Sequence, residues 1–169
     1  MAHARDGLLL TGEPKMKLTL HSRTAIAAAL LLALACGGSA VAADAQAEAN
    51  RKVVLDFYEK GLNQKDADAA IALMGNRYVQ HNPNAADGPE GFRKFIGFLR
   101  EKFPSSHSEI KRSFVDGDFV ILHVHSVREP GSRGRAIVDI FKLENGKIVE
   151  HWDVVQDIPE NPANNNTMF

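Results

Sequence analysis

The chain has one cysteine in 169 residues, which excludes an internal disulfide framework and any cysteine-built zinc site. It also lacks an excess of either charge: 20 Lys and Arg stand against 21 Asp and Glu, a formal net charge of -1. No bulk field therefore draws it to nucleic acid or acidic lipid, and Arg93-Lys94 and Lys111-Arg112 are scattered pairs, not a basic stripe. No apolar run approaches the roughly 20 residues a membrane-spanning helix needs. Gly-rich phosphate loops, a G-x-S-x-G elbow and internal repeats are missing as well. The 44% hydrophobic and 24% charged residues that remain fit a soluble globular chain with room for one domain.

The composition is uneven along the chain, and residues 1–42 read as an N-terminal extension and signal peptide. Lys17 and Arg23 precede an apolar run from Ala25 to Ala35, the length of a signal-peptide core. Ala40-Val41-Ala42 fits a peptidase site, with cleavage before Ala43 or, one residue on, before Asp44. Met16-Lys17 resembles the natural start of such a peptide. Ala35-Cys36-Gly37 offers the alternative of a lipid anchor at Cys36, against the plainer reading of a small residue discarded with the leader. Cleavage before Ala43 leaves 127 residues, cysteine-free and with a net charge of -3. The expectation is an exported protein, periplasmic or secreted and bacterial, with residues 43–169 as a single domain.

Helical periods come first in that domain. Val53, Val54, Phe57, Tyr58 and Leu62 recur at three- and four-residue spacing and predict a helix from Ala45 to Leu62. Asp66 caps a second helix through Met74, and Pro89 opens a third that buries Phe92, Phe95, Ile96 and Leu99. The period then changes to alternation, which predicts strands at Ser108 to Val115, Phe119 to Arg128, Gly134 to Leu143 and Lys147 to Ile158. Asp116-Gly117-Asp118 and Asn145-Gly146 are hairpin turns. The fold expected is α+β: three N-terminal helices on one face of a strongly curved antiparallel sheet of about four main strands, a cone enclosing an apolar cavity.

Alternation also sorts the polar residues. Phe119, Ile121, His123 and His125 share a face, as do Ile137, Asp139 and Phe141, and Val149, His151, Asp153 and Val155. Ionisable groups among apolar neighbours are costly unless bonded or used, so His123, His125, Asp139, His151 and Asp153 are the expected lining of the concave face. A carboxylate in a dry pocket tuned by histidine suits proton transfer near neutral pH. Ordinary readings stand beside this one. Asp139 could pair with a backbone donor or with Arg135, Glu150 could be a solvated strand residue, and Trp152 could serve core or interface. His123-x-His125, completed by His151, Asp139 or Asp153, is a competing metal site.

Val54-Leu55-Asp56-Phe57-Tyr58-Glu59-Lys60, then Tyr78-Val79-Gln80-His81-Asn82-Pro83, and Gly146-Lys147-Ile148-Val149-Glu150-His151-Trp152-Asp153-Val154 resemble the SnoaL-like branch of the NTF2-like superfamily. The Gln-His-Asn-Pro and His-Trp-Asp segments are similar to SnoaL-like proteins of the aldol-condensation type. The resemblance implies an NTF2-like cone, commonly a homodimer, whose polyketide cyclases close rings by aldol condensation without metal or cofactor. It implies Asp153 as acid/base, with His81 and the strand histidines polarising a carbonyl or holding an enolate. Tyr58 stands where related ketosteroid isomerases carry an oxyanion-binding Tyr, and Asn82 about where they carry a catalytic Asp.

The reading that results is an exported SnoaL-like protein acting on a small apolar or carbonyl-containing molecule. Asp153, His151, His81 and His125 form its catalytic set, and Tyr58, His123, Asp139 and Trp152 contact substrate; no metal, cofactor or nucleic acid is involved. The alternative is a non-catalytic periplasmic binder of a small apolar ligand.

Overall fold

The computed structural model describes residues 41–169; the apolar run from Ala25 to Ala35, read above as a signal-peptide core, and Cys36 lie outside them. The first helix, α1, covers residues 41–58 and runs directly into a π-helical turn, Glu59–Asn63, so it starts earlier than its apolar period predicts. α2 is short, Ala67–Ile71, and begins where expected: the Asp66 side chain accepts a hydrogen bond from the Ala69 amide. α3, Gly88–Lys102, carries Pro89 in its first turn and buries Phe92, Ile96 and Leu99 along one stripe. Phe95 is only partly buried because it faces the cavity described below.

Five strands form the sheet, not four. β1 is Met74–Gln80, β2 His107–Asp116, β3 Phe119–Val127, β4 Arg135–Glu144 and β5 Lys147–Asp157, in the order β1-β5-β4-β3-β2. β2 to β5 form an antiparallel meander, while β1 joins the far edge parallel to β5. The expected α2 extension through Met74 is thus a correction: the chain leaves the helix after Ile71 and enters β1. That strand escaped the sequence pattern because its pairing slips between Met74 and Val79, so its buried residues do not alternate. The turn joining β4 to β5 follows its sequence signal. Asn145 and Gly146 both hold positive φ, 52° and 71°, as a tight hairpin requires.

The helices cover one face of the curled sheet. Phe57 of α1 lies between Phe92 of α3 (ring centroids 4.9 Å apart) and Phe141 of β4 (5.7 Å, edge-on). Val120, Leu122 and Val124 of β3 are fully buried against this layer. Gly61 in the π turn allows the close approach of helix to helix, since a Cβ there would meet the Phe92 ring at 2.7 Å. Among the described residues no helix is long and apolar enough to cross a membrane.

Candidate active site

Between helices and sheet lies a cavity of about 420 Å³, within the range of small-molecule sites. Phe57, Phe92, Phe95, Leu99, Ile137 and Phe141 give it an apolar wall. Strand register fixes which polar residues enter it. Asp139 of β4 sits directly opposite Asp153 of β5, and Phe141 opposite His151, so these four side chains share the inner face.

Asp139 is almost fully buried. Its Oδ2 accepts from the Tyr58 hydroxyl at 3.1 Å, and its Oδ1 lies 3.0 Å from His151 Nε2. The other ring nitrogen of His151 lies 3.0 Å from Gln80 Oε1, which also accepts from the Asn82 amide at 2.9 Å. An amide oxygen only accepts, so His151 Nδ1 must carry a hydrogen. His151 Nε2 and Asp139 Oδ1 are then left to share one proton, as an imidazolium–carboxylate or an imidazole–carboxylic acid pair. Burial pushes the Asp139 carboxyl above its usual range; the bond and charge of His151 oppose this, and the nearby Asp153 adds to it. Tyr58 is pushed well above its ordinary value, first by burial and then by Asp139, and stays a neutral donor.

Asp153 is only partly buried and faces the cavity. Asn82 Nδ2 reaches both of its oxygens, at 2.7 and 2.8 Å. Asn82 is itself held by the chain leaving β1, where Asp87 Oδ1 accepts from the Gln80 amide at 2.6 Å. Tyr78 is buried at the same end, and its hydroxyl accepts from Gln80 Nε2 at 3.3 Å. No acceptor for the Tyr78 hydrogen is found among the described residues, so this donor is free for a ligand. Burial, then the charges of Asp139 and Asp153, hold the phenol in its neutral form.

The structure thus gathers Asp153, His151, Asp139 and Tyr58 of the residues read from the sequence, and separates the rest. His123 and His125 do not line the cavity. His123 is paired with Val138 and His125 with Ala136, on the outer face, while Leu122 is the residue level with Asp139. Both alternations of β3 are apolar, so pattern alone selects neither. His125 instead lies 2.8 Å from the Arg133 carbonyl, and both histidines pack against Phe169 at 5.3 and 4.7 Å. His81 and Trp152 are also corrections: they stack flat on each other on the outer face at 4.3 Å, and His81 meets Glu150 at 3.3 Å. His81 follows the last residue of β1, where alternation turns it away from Gln80 and Asn82. Arg135 pairs with Asp157, not with Asp139.

The His-x-His metal set is therefore not assembled. Asp139, His151 and Asp153 do place ligand atoms within 4.8 Å of one another, a set that could accept a cation, although its closest nitrogen and oxygen already share a proton. Gln80 and Tyr78 were missed as site residues, and Asn82 was noted only for its place in the resemblance. Their signal was the two-residue spacing 78–80–82: Tyr78 and Gln80 share one face of β1, and Asn82 continues that spacing just past the strand's end.

Residues 54–151 match the family model of the SnoaL-like domain, and the chain belongs to that family. No curated protein matches it at a significant level. Solved structures do. One is an uncharacterized cystatin fold protein from Novosphingobium aromaticivorans, 22% identical, TM-score 0.55, covering 62% of this chain and 97% of the other. A second, described as a "putative polyketide cyclase" from Acidithiobacillus ferrooxidans, is 16% identical with TM-score 0.55, over 63% and 87%. A third, a "Putative SnoaL-like polyketide cyclase" from Jannaschia sp. CCS1, is 22% identical with TM-score 0.53, over 64% and 86%. At such identities the likeness carries the fold: NTF2-like, α+β.

Proposed function

We propose that the protein is an exported, cofactor-independent lyase or isomerase of the SnoaL-like cyclase type, which removes a proton from a carbon next to a carbonyl. The observation that carries this reading is the pairing of Asp153, open to an apolar cavity, with a proton-sharing Asp139–His151 couple on the next strand position. Asp153 acts as the base. Asn82 fixes its carboxylate by donating to both oxygens, which sets the direction of attack. The Tyr78 hydroxyl, with its hydrogen uncommitted, donates to the oxygen on which enolate charge grows. The proton shared by Asp139 and His151 offsets the negative charge that the site would otherwise concentrate. Returning the proton from Asp153 to another carbon isomerises the substrate; attack of the enolate on a second carbonyl closes a ring, and the alkoxide so formed takes the proton back from Asp153. The cyclase names of the structural neighbours support the reading at the level of class.

The test is deuterium exchange into a panel of β-dicarbonyl and polyketide-like compounds in D2O, followed by NMR. Exchange should depend on the protein and fall about 10²- to 10⁴-fold in Asp153→Asn, the usual range for a general base. No exchange by the wild type, or unchanged exchange in the variant, sinks the proposal. The apolar wall supports a second reading, a binder of a small apolar ligand, which native mass spectrometry would favour by showing a retained molecule that survives Asp153→Asn. Export and homodimerisation belong to the same proposal. Exposed Val138 and Val154, level with each other on the outer face, support a dimer contact, and light scattering on the purified protein tests it.

A further inference from the structure

The cavity has a second polar end that proton abstraction does not use. Four residues along β4 from Asp139, on the same face, stands Arg135, and on this rise the two lie about 13 Å apart. Arg135 is level with Ser126 of β3 and Asp157 of β5, and Arg128 lies just beyond Ser126. Ile137 and Val155 form an apolar row between the two ends. Ser108 and Ser126 meet through their hydroxyls at 3.1 Å, and the buried Ser106 hydroxyl has no hydrogen-bond partner among the described residues.

The charge at this end is unbalanced. Arg128 is part-buried, with its guanidinium carbon 5.4 Å from the centre of the Phe103 ring, and no acid lies within ion-pair distance of it among the described residues. Burial and the neighbouring Arg135 both work against its charge, yet a guanidinium keeps its proton in proteins. The acid that pairs with Arg135, Asp157, is 83% exposed and meets it at 3.3 Å, a rim pair of little strength. Two guanidinium groups held at the end of an apolar cavity suit an anion, and their fork geometry suits a carboxylate best.

We infer that Arg128 and Arg135 form a carboxylate subsite, so that the molecule taken by this cavity is an amphipathic keto acid: an enolisable carbonyl at Asp153, an apolar middle against Ile137 and Val155, and a carboxylate at the arginines. The substrate class rests on the proton-abstraction reading of the same cavity; the subsite itself does not. Asp157 is displaced outward to solvent when the anion binds Arg135.

The experiment is calorimetric titration of the full chain with 5-benzoylpentanoate and with its methyl ester. The acid should bind at least tenfold more tightly than the ester, and raising the salt should weaken the acid alone. Arg128→Gln should remove most of that preference, and Arg128→Lys should keep part of it. Equal affinity for the two compounds, binding of neither, or an unchanged preference in Arg128→Gln overturns the subsite. Deuterium exchange next to the ketone, read in the same samples, separates the two claims. Asp153→Asn should abolish exchange while keeping the preference for acid. A wild type that prefers the acid without exchanging it would retain the subsite and remove the catalytic reading.

Discussion

Replacing Tyr58 with Phe deletes one oxygen and tests the centre of the site. Tyr58 is 4% exposed and Asp139 is equally buried, and among the described residues no other protein donor reaches Asp139 Oδ2 to replace the lost hydroxyl. Asp139 Oδ2 would be left with no partner, since the 3.1 Å bond from Tyr58 is its hydrogen bond in the structure. A hydrogen bond to a charged group contributes about 1.5–3 kcal/mol and a neutral one about 1 kcal/mol. The cost should therefore depend on the proton shared with His151. Where Asp139 is protonated the loss is near the lower figure; where it is ionised the loss is near the upper. About 2 kcal/mol corresponds to a fall in Tm of roughly 8 °C for a domain of this size. The assay is urea unfolding at several pH values between 5 and 8, followed by the fluorescence of the single tryptophan, Trp152. The same substitution in an Asp139→Asn background closes a double-mutant cycle, and the coupling should be largest at the highest pH. A Tyr58→Phe cost below about 0.5 kcal/mol throughout, or one identical in the Asp139→Asn background, would refute the account of a buried, proton-sharing carboxyl.

Three further outcomes follow from the same geometry. Because burial raises the Asp139 carboxyl in the folded chain, the fold binds more protons than the unfolded chain between the unfolded value and the raised one. Stability attributable to this group should thus fall as pH rises through that interval, by up to about 1.4 kcal/mol per pH unit, and Asp139→Asn should flatten the slope seen in pH-dependent denaturation. Gly91→Ala would ordinarily strengthen a helix by about 1 kcal/mol, but a Cβ there would run into the Ala86 carbonyl oxygen. The sign should reverse to a loss of about 1–3 kcal/mol in thermal unfolding, with weaker ligand binding, because Ala86 lines the cavity. Asn82→Ala frees the Asp153 carboxylate from both of its bonds, and deuterium exchange should fall about 10- to 100-fold with the fold intact by circular dichroism.

Local signals in the chain were reliable wherever one residue type decides a local conformation. Asp66, Pro89 and Asn145-Gly146 each mark a boundary that the structure keeps, because capping, a fixed φ and a tight turn need no distant partner. Alternation brought Asp139, His151 and Asp153 onto one face for the same reason. It failed on β3, where Phe119 and Ile121 on one side and Val120 and Leu122 on the other are equally apolar, so His123 and His125 were assigned to the wrong surface. The partners that give the site its chemistry were not legible from spacing. Tyr58 reaches Asp139 across 81 positions and Asn82 reaches Asp153 across 71, through a parallel pairing that only the closed sheet creates. The resemblance to SnoaL-like proteins agreed with the cone read from the pattern, but it placed His81 in the pocket when its ring lies against Trp152 outside.

The parallel docking of β1 on β5 has a consequence for the order in which the sheet can close. Met74–Gln80 is made about seventy residues before the strand it pairs with, and His151 and Asp153 lie on that later strand. Until residues 147–157 are in place, Gln80 has no His151 to pair with, and the cavity lacks one side and Asp153. The cavity is therefore complete only with β5 seated between β1 and β4. The same strand that covers the edge of β4 from other chains also brings His151 and Asp153 beside Asp139.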